Sequence, residues 1–380
     1  MGRKPLPRRN APRCRAATPG HARPRGFTLL ELMIGMGVGL MAALVIANVL
    51  LVTESQRRTV TSGSAAQVNA ALSLHAMQRE VQAAGYGLVA SLNALGCEIR
   101  ARRGGVDFTW TLAPVLIANG VNDAPDSVTV LASATERYAT PARVVSHHPK
   151  TATEFSVNTT MGLAEADLML AVPPAFDANN WCSVFTVTDI GTAGGMGQIV
   201  HASGTDGPWN PGIGQEIFPA AGYPAGSFLL NLGQLINRTY SVSAGGALQL
   251  ASFETASGTT TTRELFPGIV NLQAFYGLDT DADGVIDRFA TTTPTTNAGW
   301  RQVVAVRIAL VARSGEFEKE DVTHADPQWD VGAAVPVDGS VTGASSRCVA
   351  LKVSHLADWK RYRYRIHEVI VPVRNMLWHA

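Results

Sequence analysis

Apolar and small residues dominate the chain from Phe27 to Val52. They thin to a single stripe over residues 70–88 and return as short alternating runs beyond residue 90. The first stretch is 26 residues long and carries one ionisable group, Glu31. At 1.5 Å per residue, such a helix crosses a bilayer core of roughly 30 Å. No proline lies between residues 25 and 113, so helix is predicted to continue past the apolar span. Ala70, Leu74, Met77, Val81, Ala84 and Leu88 are spaced four-three-four-three-four and make one packing stripe. Gln67, Asn69, Gln78, Arg79, Glu80 and Gln82 supply the polar face. Helix from Phe27 to about residue 84 would be roughly 87 Å long, and Gly85 and Gly87 around Tyr86 suit its end.

Beyond residue 90 the pattern is that of strands. Runs at 127–131, 180–188, 271–278, 301–313 and 360–373 carry it. In 180–188, Cys182, Val184 or Phe185, and Val187 are predicted to alternate inward. In 301–313, Val304, Val306, Ile308 and Leu310 share a face opposite Arg307. In 360–373, Tyr362, Tyr364 and Ile366 alternate with Arg361, Arg363, Arg365 and His367, the pattern of a half-buried strand. Glycine-rich stretches (191–197, 203–214) and threonine-rich ones (259–262, 291–296) are predicted to be mobile loops between these strands. The expected class is α+β, a long N-terminal helix on a β-rich head. Its segments are 1–26 (basic leader), 27–52 (membrane part of the helix), 53–90 (amphipathic continuation) and 91–380 (head).

Residues 1–26 hold eight basic side chains and no acid, which by the positive-inside rule keeps this end cytoplasmic and exports the rest. The full chain has 31 basic and 30 acidic residues; without the leader's eight, 23 face 30, a net of −7. So acidic a remainder argues against a broad nucleic-acid surface. Cys14 lies in the leader, leaving Cys97, Cys182 and Cys348. An oxidising periplasm permits one disulfide. Cys97–Cys182 is the preferred pair, both lying in the first half of the head, and three reduced thiols is the alternative.

A carboxylate inside an apolar span is costly, about 2.5–3.5 kcal/mol at a bilayer centre and less near its edge. Glu31 is therefore a functional residue in search of a partner. Gly35 and Gly39 form a GxxxG pair, with Gly37 between them, that lets helices approach closely and can bend or unwind the segment. In the head, Asp279, Asp281 and Asp283, Gly284, the Val285 carbonyl and Asp287 reproduce positions 1, 3, 5, 6, 7 and 9 of a Ca²⁺ loop. Ala290 stands where the bidentate Glu would be, and the flanks read as strands. An acidic hairpin turn around Asp283-Gly284 is the other reading. Catalysis finds no support: Gly-x-Ser-x-Gly, a Walker loop, Cys-x-x-Cys and His-Glu-x-x-His are all absent from the sequence. His147-His148 reads as a solvated pair, and Lys360–Arg365 as strand alternation rather than a nucleic-acid contact.

Gly26-Phe27-Thr28-Leu29-Leu30-Glu31 followed by an uncharged helix resembles the type III signal of type IV pilins. The resemblance implies that a prepilin peptidase cuts between Gly26 and Phe27 and methylates the Phe27 amine. It further implies that Glu31, with Thr28 beside it, then pairs with a neighbouring subunit's amine during assembly. The runs 275–289, 364–376 and 78–86 are similar to minor pilins of the PilW family. That implies an inner-membrane protein built into a pilus, with the prepilin peptidase, major and minor pilins and the inner-membrane assembly machinery as partners. It also implies no enzymatic activity and no obligatory cofactor, Ca²⁺ being optional. A type II secretion pseudopilin shares the signal. A membrane-tethered ectodomain, binding or enzymatic, would need neither cleavage nor Glu31.

Overall fold

The computed structural model describes residues 26–377 except 90, 136–139, 205, 213–216 and 343–345, so the predicted leader lies outside the described residues apart from Gly26. The chain divides at Arg57/Arg58 into two units. An α-helix spans Leu29–Ala83. Within it, Leu29–Glu54 is long and apolar enough to cross a membrane, and its side chains are exposed. Gly35, Gly37 and Gly39 sit in unbroken helix with open space around them.

In the second unit the predicted stripe is buried along its whole length, from Ala70 to Leu88. Ala70, Leu74, Met77, Val81 and Ala84 share one core with two sheets. One is five-stranded and antiparallel, in the order Thr259–Pro267, Ala247–Glu254, Leu235–Val242, Ser127–Ser133, Val115–Ala118. The other is four-stranded, in the order Arg288–Ala290, Ile269–Leu278, Val303–Arg313, Tyr364–Pro372. Tyr276 joins them, its hydroxyl oxygen accepting the Ile117 N–H at 2.6 Å. The helix ends where predicted. Gly85 and Gly87 take φ of 78° and 72°, and the Gly85 N–H donates to the Leu131 carbonyl at 2.7 Å. The freed carbonyls of Ala83 and Ala84 accept from the Asn375 side-chain amide at 3.3 and 2.9 Å.

A third sheet, six-stranded, runs Val106–Thr111, Glu98–Arg103, Cys182–Thr186, Leu168–Val172, Phe228–Gly233, Ala142–Arg143. It has core on both faces, which explains why Cys182–Thr186 is buried at every residue and not at alternate ones as predicted. Two three-stranded sheets complete the head. In one, Asp189–Ala193 and Met196–Val200 form a hairpin turning at Gly194-Gly195, so the glycine-rich 191–197 is strand and turn and not a loop. Thr259–Thr262 is likewise strand, at the edge of the five-stranded sheet, because threonine's branched Cβ suits the pleat. Arg301 belongs to a short helix, Asn297–Arg301, and Trp359–Arg361 to a 3₁₀ turn, so the last two predicted strands begin later than expected.

Candidate functional site

Glu31 is the N3 residue of a reciprocal cap. Thr28 Oγ1 accepts the Glu31 N–H at 3.2 Å, while the Thr28 N–H and hydroxyl donate to Glu31 Oε2 at 3.2 and 3.1 Å. This is a capping box on the first turn of the long helix. It satisfies an otherwise orphaned N–H and places the carboxylate at the positive end of the helix dipole. Thr-x-x-Glu ahead of an apolar run is the sequence signal for this cap, which gives Glu31 a partner within its own chain besides the neighbouring amine expected of it. Oε1 has no hydrogen-bond partner among the described residues and is free to receive a cation. Gly26 and Phe27 precede the cap, both exposed.

Cys97 and Cys182 form the predicted disulfide, with Cα atoms 6.0 Å apart across 85 residues of sequence. It lies beside the parallel pairing of Ile99 with Cys182, so it fastens the first strand after the helix to the centre of the six-stranded sheet. Cys348 is free and half-buried.

Asp279–Asp287 closes the hairpin between Ile269–Leu278 and Arg288–Ala290. The loop is wound by its own carboxylates. Buried Asp279 accepts the N–H groups of Ala282 and Gly284 at 2.7 and 2.8 Å, and Asp283 accepts that of Val285 at 2.7 Å. Ala282 and Gly284 take positive φ, 64° and 85°. Donor oxygens of Asp279, Asp281 and Asp283 gather within 4.8 Å of one another. Asp287 stands apart from that group, its carboxylate bonded back to the Thr280 N–H and hydroxyl at 2.7 and 2.5 Å. The Thr280 hydroxyl, then its N–H, hold Asp287 below the usual carboxylate range. The N–H of Asp283 lowers Asp281, but the charges of Asp283, Asp287 and Asp279 outweigh it and push Asp281 up. Three convergent carboxylates of this kind fit a divalent cation, which would relieve that repulsion.

His148 does not behave as predicted. His147 is exposed, but His148 is buried, its Nε2 2.9 Å from Nε2 of buried His201. Phe155 stacks on His148 with centroids 3.7 Å apart, and Phe218 meets both imidazoles edge-on. Burial pushes His148 down to about 4 and His201 to about 3, the neighbouring imidazole adding to the second shift. The pair therefore stays uncharged and shares a hydrogen bond, one ring donating and the other accepting. Nothing local in the sequence marks this, because the partners lie 53 residues apart.

Arg307 faces away from Val306 and Ile308, as expected, but it is buried. It donates to Glu368 at 2.8 and 3.2 Å and to the Val331 carbonyl at 3.0 Å, with Trp329 and Phe289 rings beside it. In the basic stretch near residue 362, Arg363 pairs with Glu318 at 2.9 Å, and the Tyr362 ring lies 4.4 Å from Arg313 of the neighbouring strand.

Residues 239–375 match the family described as Type IV Pilus-assembly protein W, and residues 22–51 match the prokaryotic N-terminal methylation motif. The first match takes in the four-stranded sheet and the Asp279–Asp287 hairpin. The second takes in the Thr28–Glu31 cap. No curated protein and no solved structure gives a significant match.

Proposed function

For this PilW-like type IV pilin with its prepilin-type signal, we propose the role of a minor subunit in pilus assembly. The chain is anchored in the inner membrane by Leu29–Glu54, with the basic leader on the cytoplasmic side. Cleavage between Gly26 and Phe27 exposes an amine that is methylated, and the subunit leaves the bilayer when Glu31 meets the amine of a neighbouring pilin. Gly35 and Gly39 let the helices pack closely in that filament.

The observation that carries this reading is the half-satisfied carboxylate. Thr28 occupies Oε2 of Glu31 and orients it, leaving Oε1 to a cation. An unpaired charge in hydrocarbon is tolerated while the cap holds it and is neutralised on docking, which makes docking the favourable step. The head contributes a surface to the assembly, and Asp279, Asp281 and Asp283 hold Ca²⁺ weakly in its hairpin, as an extracellular module does.

The test is Glu31→Ala, followed by membrane fractionation, mass spectrometry of the mature N-terminus and recovery of sheared filaments. The variant should still insert and be absent from filaments, and N-methyl-Phe27 should be the first residue of the wild-type protein. Normal piliation with Glu31→Ala, or a wild-type chain retaining its leader, refutes the reading.

A further inference from the structure

One face of the five-stranded sheet is covered by the helix stripe; the other carries a different chemistry. Cross-strand register puts Leu116, Thr129, Thr239 and Ala251 in one row, since Leu116 opposes Thr129, Thr129 opposes Thr239, and Thr239 opposes Ala251. Asn237 and Phe253 lie one pleat away on the same face, and Thr260 opposes Phe253. Val128, Val130, Tyr240 and Leu250 occupy the alternate positions and point into the core. The hydroxyl-bearing row is thus an outward floor.

A wall stands over it. Phe108 and Trp110, two residues apart on strand Val106–Thr111, stack with centroids 5.6 Å apart. Phe253 meets both edge-on at 5.5 and 5.3 Å, and buried Trp209 backs the cluster. Wall and floor enclose a groove of about 430 Å³, within the range of small-molecule sites. Phe108, Trp110 and Phe253 are only half-buried. Among the described residues no charged side chain lines the groove. The polar groups in it are under-used. The Thr129 and Thr239 hydroxyls share a single hydrogen bond at 2.8 Å, leaving one O–H and further lone pairs. Among the described residues neither the Asn237 amide nor the Trp110 indole N–H has a hydrogen-bond partner.

A ligand matching this surface is neutral, presents an apolar C–H face to an aromatic ring, and carries hydroxyls around its edge. That is a pyranose. Its C–H face lies against the negative face of a ring, while its rim exchanges hydrogen bonds with hydroxyls, an amide and an indole N–H. An acidic sugar finds no cation among the described lining residues. We infer that the groove between strand Val106–Thr111 and the outer face of the five-stranded sheet binds a neutral oligosaccharide. The proposal does not rest on the assembly role, because Phe108, Trp110 and Phe253 belong neither to the cap nor to the processing signal.

The test uses the full chain in non-ionic detergent, titrated with maltohexaose, cellohexaose and chitohexaose, with polygalacturonate as an acidic control. Tryptophan fluorescence and calorimetry are the readouts. At least one neutral hexasaccharide should saturate binding. Trp110→Ala should weaken it tenfold or more, and Asn237→Ala, which removes an amide and no packing ring, should weaken it severalfold while the melting temperature stays near wild type. Failure of all three neutral sugars overturns the proposal. So does binding that survives both substitutions, or a preference for polygalacturonate. Concentration-dependent dimerisation abolished by Trp110→Ala would also overturn it, assigning the groove to a second copy of this chain. Piliation unchanged in Asn237→Ala separates a failed saccharide site from a failed assembly role.

Discussion

The His148–His201 pair should make the head acid-labile in a way that can be computed. An unfolded histidine titrates at 6.5, whereas burial holds these two at about 4 and about 3. Between those values the unfolded chain binds more protons than the folded one, so stability is complete above pH 6.5 and falls as the pH drops toward 4. From pH 7 to pH 5 each histidine removes about 2 kcal/mol, and the coupled pair about 3–4 kcal/mol. Asp126 works in the opposite sense. Burial raises its carboxyl from 3.8 to about 6 although it accepts N–H groups from Gly120 and Ala274. The unfolded chain therefore binds fewer protons there, and acidification favours the fold. The two effects are separated by comparing wild type with the double variant His148→Gln, His201→Gln, which keeps a hydrogen bond in place and removes the titration. Urea unfolding of the full chain in detergent, followed by tryptophan fluorescence at pH 7, 6 and 5, gives both curves. The gap between them should shift by about 3–4 kcal/mol over those two pH units. Parallel curves would refute the argument, because they would mean the imidazoles take up protons as readily folded as unfolded.

Met77, wholly buried in the helix stripe, offers a packing test: Met77→Ala should cost about 2–5 kcal/mol by leaving a cavity, read from the urea midpoint at constant m. Reducing Cys97–Cys182 removes a cross-link across 85 residues, which loop entropy values at about 4–5 kcal/mol. Cys97→Ser with Cys182→Ser should lower the melting temperature, while Cys348→Ser should not. Millimolar Ca²⁺ should give a saturable calorimetric signal that Asp283→Asn weakens and Asp281→Asn with Asp283→Asn abolishes. Absence of heat with the wild-type protein would reduce the loop to a turn closed by Asp279 and Asp287.

The sequence made the helix legible because its signals are local. A proline-free span, a four-three stripe and paired glycines fix its course and its end, and each buried stripe residue lies where the spacing puts it. The disulfide was legible because Cys97 and Cys182 both lie in the first half of the head, apart from Cys348. Strands with one wet face were readable too, as with Ser127–Leu131. What failed was burial on two faces. Cys182–Thr186 alternates nothing because both of its sides are core. Thr259–Thr262 and 191–197 read as loops from composition, yet a branched Cβ and a two-glycine turn make strand and hairpin of them. At the candidate sites, the Glu31 cap was written in Thr-x-x-Glu and passed over. The His148–His201 contact and the aromatic wall over Thr129 and Thr239 join residues far apart in sequence, and no short-range pattern could announce them.

The bonds from Asn375 to the carbonyls of Ala83 and Ala84 have a mechanical meaning. In the filament proposed above, tension would reach the head through the helix, which ends at Ala83. Asn375 stands 291 residues from Ala84 in sequence yet touches it directly, directly after strand Tyr364–Pro372. Pull on the helix is therefore shared between the buried stripe and this one side chain, which ties the helix end to the strand paired along Val303–Arg313. The end of the helix and the segment after the last strand thus act as a single grip on the four-stranded sheet.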